Sequence, residues 1–179
     1  RSSLSKNKNH ERQEQRKLKV VVVAGGSDPH ELVNEIAKNL VTFSEDFEVY
    51  LFSNSILDSH LDSRFRYVEV GNQLDELLED ADLVLTTAST SSLEFLARGL
   101  CVGIACVVDN QKQYYKIMGE LGVAAQFGFR NMNNDWELDR EKMYSLVTSN
   151  LLRQNLLAKS KELIDFQGAR RIVDAITTL

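Results

Sequence analysis

Two cysteines and three histidines are all that this chain of 179 residues offers for thiol or metal chemistry. Cys101 and Cys106 stand five positions apart in one apolar, strand-like stretch. An odd separation on a strand turns two side chains to opposite faces of a sheet. That excludes an easy disulfide between them and leaves two reduced, buried thiols. His10, His30 and His60 are scattered, and with the cysteines they make no zinc spacing. Long apolar runs are missing as well: none approaches the roughly 20 residues that cross a bilayer. The first residues are polar and charged, unlike a secretory signal. These absences point to a cytoplasmic location with no membrane span. A surplus of positive charge is also lacking. The net charge of −5 argues against a general nucleic-acid binder. The start at Arg1 suggests a fragment of a longer or processed chain.

What is present suffices for one domain with a sizeable core: 43% of the residues are hydrophobic. Residues Arg1 to Lys17 are polar and rich in Lys and Arg, and read as a solvated linker or frayed helix. A nucleic-acid arm is the sharper alternative for that tail. From Leu18 the character changes, and residues 18–179 read as the folded domain.

Leu18 to Ala24 is a β-branched run closed by Gly25-Gly26, as in a buried strand. His30 to Phe43 places Leu32, Val33, Ile36, Ala37 and Leu40 at helical spacing. Strands are expected at Phe47 to Ser53, Phe65 to Val70, Leu83 to Thr86 and Cys101 to Val108, with a last short one at Ala124 to Phe127. Helices are expected at Gln73 to Leu78, Ser92 to Arg98 and Asn110 to Leu121. Ser55 to Leu61 is ambiguous, and Gly128 to Trp136 reads as a loop. Asp139 to Thr148, Asn150 to Asp165 and Gln167 to Thr178 close the chain as two or three helices.

This alternation implies an α/β fold: a Rossmann-like, doubly wound parallel sheet of about six strands with helices on both faces. In the order 3-2-1-4-5-6 the sheet changes direction between the first and fourth strands. Ligands bind at that switch point, beyond the strand C-terminal ends. The loops after those two strands are Gly25-Gly26-Ser27-Asp28 and Thr86 to Ser92, so topology brings them together although they are far apart in sequence.

Both loops suit a nucleotide. Gly25 and Gly26 let the backbone turn sharply and approach a ligand, Ser27 adds a donor, and Asp28 can cap the next helix. The third glycine of a dinucleotide motif is missing, and no Gly-Lys-Ser/Thr makes a P-loop. A plain tight turn with a cap is the alternative. Ser89, Thr90, Ser91 and Ser92 exceed what one helix cap needs, and an anion at a helix N-terminus explains the excess. Glu94 is a candidate acceptor for sugar hydroxyls; as a capping-box partner of Ser91 it has a purely structural alternative. Asn110 and Gln111 sit at the same rim, after the strand Cys101 to Val108.

Ala81-Asp82-Leu83-Val84-Leu85, Ser89-Thr90-Ser91-Ser92-Leu93-Glu94, Gly99-Leu100 and Asp109-Asn110-Gln111-Lys112-Gln113-Tyr114-Tyr115 together resemble a glycosyltransferase-B C-terminal half. The segment is most similar to the UDP-sugar hydrolases of pseudaminic acid synthesis. It is more distantly similar to the N-acetylglucosaminyltransferases that make lipid II. The likeness covers most of Leu18 to Ala175, with Gly25 to Asp28 matching the opening loop and Val70-Gly71-Asn72-Gln73-Leu74 the loop before the Ala-Asp strand.

The resemblance implies that Gly25, Gly26, Ser27, Ser89, Thr90 and Ser91 hold a diphosphate. It implies that Glu94 accepts from ribose hydroxyls, that Val70 and Gly71 read uracil, and that Asn110 and Gln111 face the sugar. UDP is then the nucleotide part of the substrate, with no separate cofactor or metal. The sequence departs from the family at Thr86, Thr87 and Ala88, where relatives often carry glycines, and at Cys101, where a proline is usual. The family's catalytic histidine belongs to an N-terminal domain, in a Gly-x-Gly-His-like motif that this sequence lacks. The implied function is the UDP-sugar-binding half of an enzyme of surface-glycan or nonulosonic acid synthesis, its parent hydrolysing the UDP-sugar. A glycosyltransferase half and a non-catalytic nucleotide-sugar sensor are the alternatives. This chain alone is expected to bind UDP without turning over UDP-sugars, its partner being a separate catalytic domain.

The cysteine and histidine pattern carries one direct expectation. Chelator-treated protein should contain no stoichiometric zinc and should melt at an unchanged temperature. A matching loss of zinc and of thermal stability would contradict it.

Overall fold

The computed structural model describes residues 16–25, 28, 30–53, 61–69, 73–165 and 167–177. Its strands are β1 (Leu18–Val23), β2 (Phe47–Phe52), β3 (Phe65–Val68), β4 (Leu83–Thr87), β5 (Val102–Cys106), β6 (Ala125–Arg130) and β7 (Trp136–Leu138). Its helices are α1 (Leu32–Leu40), α2 (Leu74–Leu78), α3 (Thr90–Ala97), α4 (Lys112–Glu120), α5 (Arg140–Thr148), α6 (Asn150–Leu163) and α7 (Gly168–Thr177). A 3-10 turn, Asp109–Gln111, leads into α4.

One sheet runs in the order β3-β2-β1-β4-β5-β6-β7. All neighbouring pairs are parallel except β6 with β7. The chain is therefore Rossmann-like α/β, with the expected order and one further antiparallel edge strand. The valines of β1 show why both faces are covered. Val20 and Val22 pack in one apolar layer with Leu32, Ile36 and Leu40 of α1 and with Met143 and Leu146 of α5. Val21 and Val23 pack in the opposite layer with Phe95 and Leu96 of α3. Alternate residues of a strand point to opposite faces, so an unbroken valine run needs two layers to bury it. Each such side chain taken from water contributes about 1.5–3 kcal/mol.

β7 corrects the reading of Gly128 to Trp136 as a loop. Gly128 is a strand residue, required by close approach rather than by turning. A Cβ there would lie 2.6 Å from Leu138 Cδ2 and 2.7 Å from the Glu137 carbonyl oxygen. The turn between β6 and β7 is closed by Asn131, whose side-chain carbonyl accepts from the Asn133 and Asp135 amides at 2.9 and 3.0 Å. Cys101 falls one residue before β5 and packs in the α1 layer. Both cysteines are free and buried, and burial pushes the Cys101 thiol up to about 12. At the start of the described chain, Arg16 donates to Asp82 at 2.7 Å and Lys17 pairs with Asp46 at 2.7 Å. These two residues are tied to the domain by ion pairs.

Arg64 holds the turn after α1. Its guanidinium donates to the carbonyls of Val41, Phe43 and Glu45 at 3.1, 2.7 and 3.0 Å. It also pairs with Asp62 at 2.7 Å and lies 4.7 Å from the centre of the Phe47 ring. The Arg64 hydrogen bond holds the Asp62 carboxyl below the usual carboxylate range. A carboxyl lowered in the folded state stabilises above its ordinary pKa, and that contribution is lost as pH falls through the lowered value. Arg64→Ala is expected to cost roughly 2–3 kcal/mol, because three carbonyls lose a charged donor. Arg64→Lys should recover little, since an ammonium cannot reproduce the planar fork. Urea denaturation checks both; an alanine variant as stable as wild type would remove Arg64 from this role.

Candidate functional site

β1 and β4 are adjacent, with Val23 opposite Thr86. Their C-terminal ends therefore open at the same rim, where the strand order changes direction. The loop after β1 begins at Gly25, whose φ of 93° belongs to the left-handed region, while an added Cβ would meet nothing within 4 Å. Glycine is needed there for conformation, not for space. Gly26 and Ser27 lie outside the described residues, as do Val70 and Gly71. Asp28 caps the next helix as expected: its two carboxylate oxygens accept from the Leu32 and Val33 amides at 2.9 Å each. A side chain of the protein itself thus takes those two donors at the start of α1.

The start of α3 is different. Ala88 leaves the strand with its amide donating to the Ala105 carbonyl at 2.8 Å. Ser89 is extended and occupies the cap position, yet its side chain makes no capping bond. Its Oγ instead accepts from Thr87 Oγ1 at 2.9 Å. The helix begins at Thr90, earlier than the expected Ser92. Thr90 and Ser91 therefore stand in the first turn, where backbone N–H groups have no intrahelical acceptor. Ser92 is fully buried and donates to the Ser89 carbonyl at 2.6 Å.

This earlier start also removes the Ser91–Glu94 capping box, because Ser91 lies inside the helix. Glu94 Oε1 accepts from Arg98 at 2.6 Å, one turn on, and Arg98 also donates to Asp75 of α2 at 2.7 Å. Hydrogen bonds to Asp75 and then Glu94 raise the Arg98 guanidinium further above its ordinary value.

Between the first turn of α3 and the start of α4 lies a cleft of about 340 Å³. Ser89 and Thr90 form one wall, Asn110 and Gln111 the other, with Ala88, Leu93 and Tyr114 also lining it. The structure thus brings together Ser89 and Thr90 after β4 with Asn110 and Gln111 after β5, while Gly25, after β1, does not line this cleft. Ser91 and Glu94 do not line this cleft. Gln111 Oε1 accepts from the Val107 amide at 2.9 Å, which fixes the orientation of this cleft-lining side chain. Leu93 and Tyr114 were not singled out from the sequence. Helical spacing carried the signal for Tyr114, four residues after Asn110. Its hydroxyl lies 2.7 Å from Ser92 Oγ, and burial raises its pKa, so it stays neutral.

Among the described residues, two larger clefts lie elsewhere. One, of about 580 Å³, is lined by Lys19, Tyr50 and Arg66 with residues of α2. The other, of about 500 Å³, lies between His30 and Glu31 and the β6–β7 hairpin with Trp136. Neither contains a residue expected from the sequence to bind ligand. Among the described residues, no three or more His, Cys, Asp or Glu side chains cluster as metal ligands. None of the described helices is long and apolar enough to cross a membrane.

No family model matches the sequence. No curated protein matches it either. Solved structures do. MurG of Acinetobacter baumannii superposes with a TM-score of 0.69 at 14% identity, over 96% of this chain and 53% of that one. UGT2 of Phytolacca americana, complexed with UDP-2fluoro-glucose and pterostilbene, gives 0.63 at 17% identity, over 89% of this chain and 39% of that one. The glycotransferase of kitacinnamycin gives 0.61 at 19% identity, over 89% of this chain and 42% of that one. The chain spans about half or less of the length of these structures. Its fold is Rossmann-like α/β and matches about half or less of each of these structures.

Proposed function

We propose that this domain is the nucleotide-sugar-binding half of a glycosyltransferase and holds the diphosphate of a UDP-sugar between α3 and α4. The observation that carries the reading is the 340 Å³ cleft between the helix starts that follow β4 and β5, bounded by a helix start that its own cap side chain leaves open. In this reading the Thr90 and Ser91 amides and the Ser89 and Thr90 hydroxyls meet the diphosphate. Backbone donors and the helix dipole favour an anion there. Asn110 and the NH₂ group of Gln111 meet the sugar. Glu94, exposed and shared with Arg98, accepts from the ribose hydroxyls. Gly25, Gly26 and Ser27 flank the diphosphate from β1, and Val70 and Gly71 read the base. Those last assignments, Gly25 included, rest on the sequence alone.

UDP enters as part of the substrate, with no separate cofactor, and the catalytic base comes from a second domain. Transfer to a hydroxyl acceptor is preferred to hydrolysis because the structural likeness is to glycosyltransferases. The hydrolase of pseudaminic acid synthesis, suggested by sequence motifs, draws no support from that likeness.

Calorimetry on the purified chain tests this reading. UDP should bind at least about tenfold more tightly than uridine, since charge-assisted hydrogen bonds contribute about 1.5–3 kcal/mol each. Glu94→Gln should lose up to about tenfold in UDP affinity and most of the preference for UDP over its 2′-deoxy form. The fold should persist, because an exposed ion pair contributes no more than about 1 kcal/mol. Equal binding of UDP and uridine would overturn the diphosphate assignment. Unchanged 2′-hydroxyl discrimination in the glutamine variant would remove Glu94 alone.

A further inference from the structure

The two walls of the cleft belong to different helices, and a chain of hydroxyls joins them. Ser92 of α3 is fully buried. Its Oγ donates to the Ser89 carbonyl at 2.6 Å and lies 2.7 Å from the Tyr114 hydroxyl of α4. A serine hydroxyl has one hydrogen. That hydrogen goes to Ser89, so Tyr114 is the donor to Ser92. The order is Tyr114 to Ser92 to the Ser89 carbonyl, and Ser89 is the residue at which the chain enters α3 and the cleft begins. Tyr114 also lines the cleft, where Leu93 is the other large apolar side chain. Ser89 is held from a second side by Thr87 Oγ1 at 2.9 Å.

Resting on the nucleotide-binding reading above, we infer that Tyr114 is a positioning residue: acting through Ser92, its hydroxyl sets the entry of α3 relative to α4 and so holds the phosphate-facing wall of the cleft in place. Helix capping does not require this chain, because Ser89 makes no capping bond. Core packing does not require the phenol either, because a phenylalanine ring would fill the same space. The arrangement therefore orients a backbone segment that faces the cleft. The ligand chemistry it serves is the diphosphate rather than the nucleoside, because Ser89 and Thr90 form the wall in question.

Tyr114→Phe, Ser92→Ala and the double variant test this, with UDP and uridine as probes in calorimetry and thermal melting alongside. Each single variant should lose about threefold to tenfold in UDP affinity, the scale of one net hydrogen bond, with uridine affinity unchanged. The double variant should lose no more than either single one, because both cut the same chain. Equal loss for UDP and uridine, additive losses, or wild-type UDP binding by Tyr114→Phe would each overturn the assignment. Should Ser92→Ala fail to fold, Tyr114→Phe decides alone. Failure of wild type to prefer UDP over uridine would overturn the nucleotide reading itself, and is read without any variant.

Discussion

A parallel sheet sends every strand C-terminus to one rim, and each following helix starts there with backbone N–H groups that its own turns cannot satisfy. What meets those donors decides what the rim can bind. At α1 the Asp28 carboxylate takes two of them. At α2 the cap residue Gln73 makes no side-chain capping bond, and at α4 the cap residue Gln111 accepts from the Val107 amide instead. At α3, in the most hydroxyl-rich segment of the rim, the cap side chain makes no such bond. Ser89 is drawn back toward Thr87 and Ser92 points inward. A serine-rich helix start that withholds its cap suits an external anion.

The rest of the fold keeps that start in place. The sheet is buried on both faces, so β4 cannot shift without disturbing two apolar layers. Phe95 and Leu96 anchor α3 into one of them with 4% and 1% of their surface exposed. Polar ties then fix the ends. Arg64 clamps the turn after α1, Arg153 donates to the Leu146 and Val147 carbonyls at the end of α5, and Arg98 joins α3 to α2. Packing thus sets which elements meet, while the arginines and the Tyr114–Ser92 chain set the orientation of the segments between them.

Most of the sheet was legible because its strands are short, β-branched and separated by helical periodicity. Val20 to Val23 and Leu83 to Leu85 could only be buried strands, and the switch between β1 and β4 followed from the alternation of elements. β7 was not legible. It has three residues, follows an asparagine-rich turn, and pairs against Gly128, whose role depends on how closely Leu138 approaches. The start of α3 was misplaced because Ser and Thr favour caps over helix interiors. Here Ser89 alone takes the cap position, and Thr90 and Ser91 are drawn into the first turn. The Glu94–Arg98 pair stands at the helical spacing of four, but Ser91 and Glu94 fit a capping box equally well in sequence, and only the helix start at Thr90 separates the two. The three carbonyls gathered by Arg64 lie on a distant turn, beyond any local pattern.

A crystal structure of the chain with UDP puts the central claim to its most direct test. The account places the diphosphate oxygens within hydrogen-bonding distance of the Thr90 and Ser91 amides, in the cleft walled by Asn110 and Gln111. UDP seated instead beside Lys19 and Arg66, or against His30 and Trp136, would contradict it.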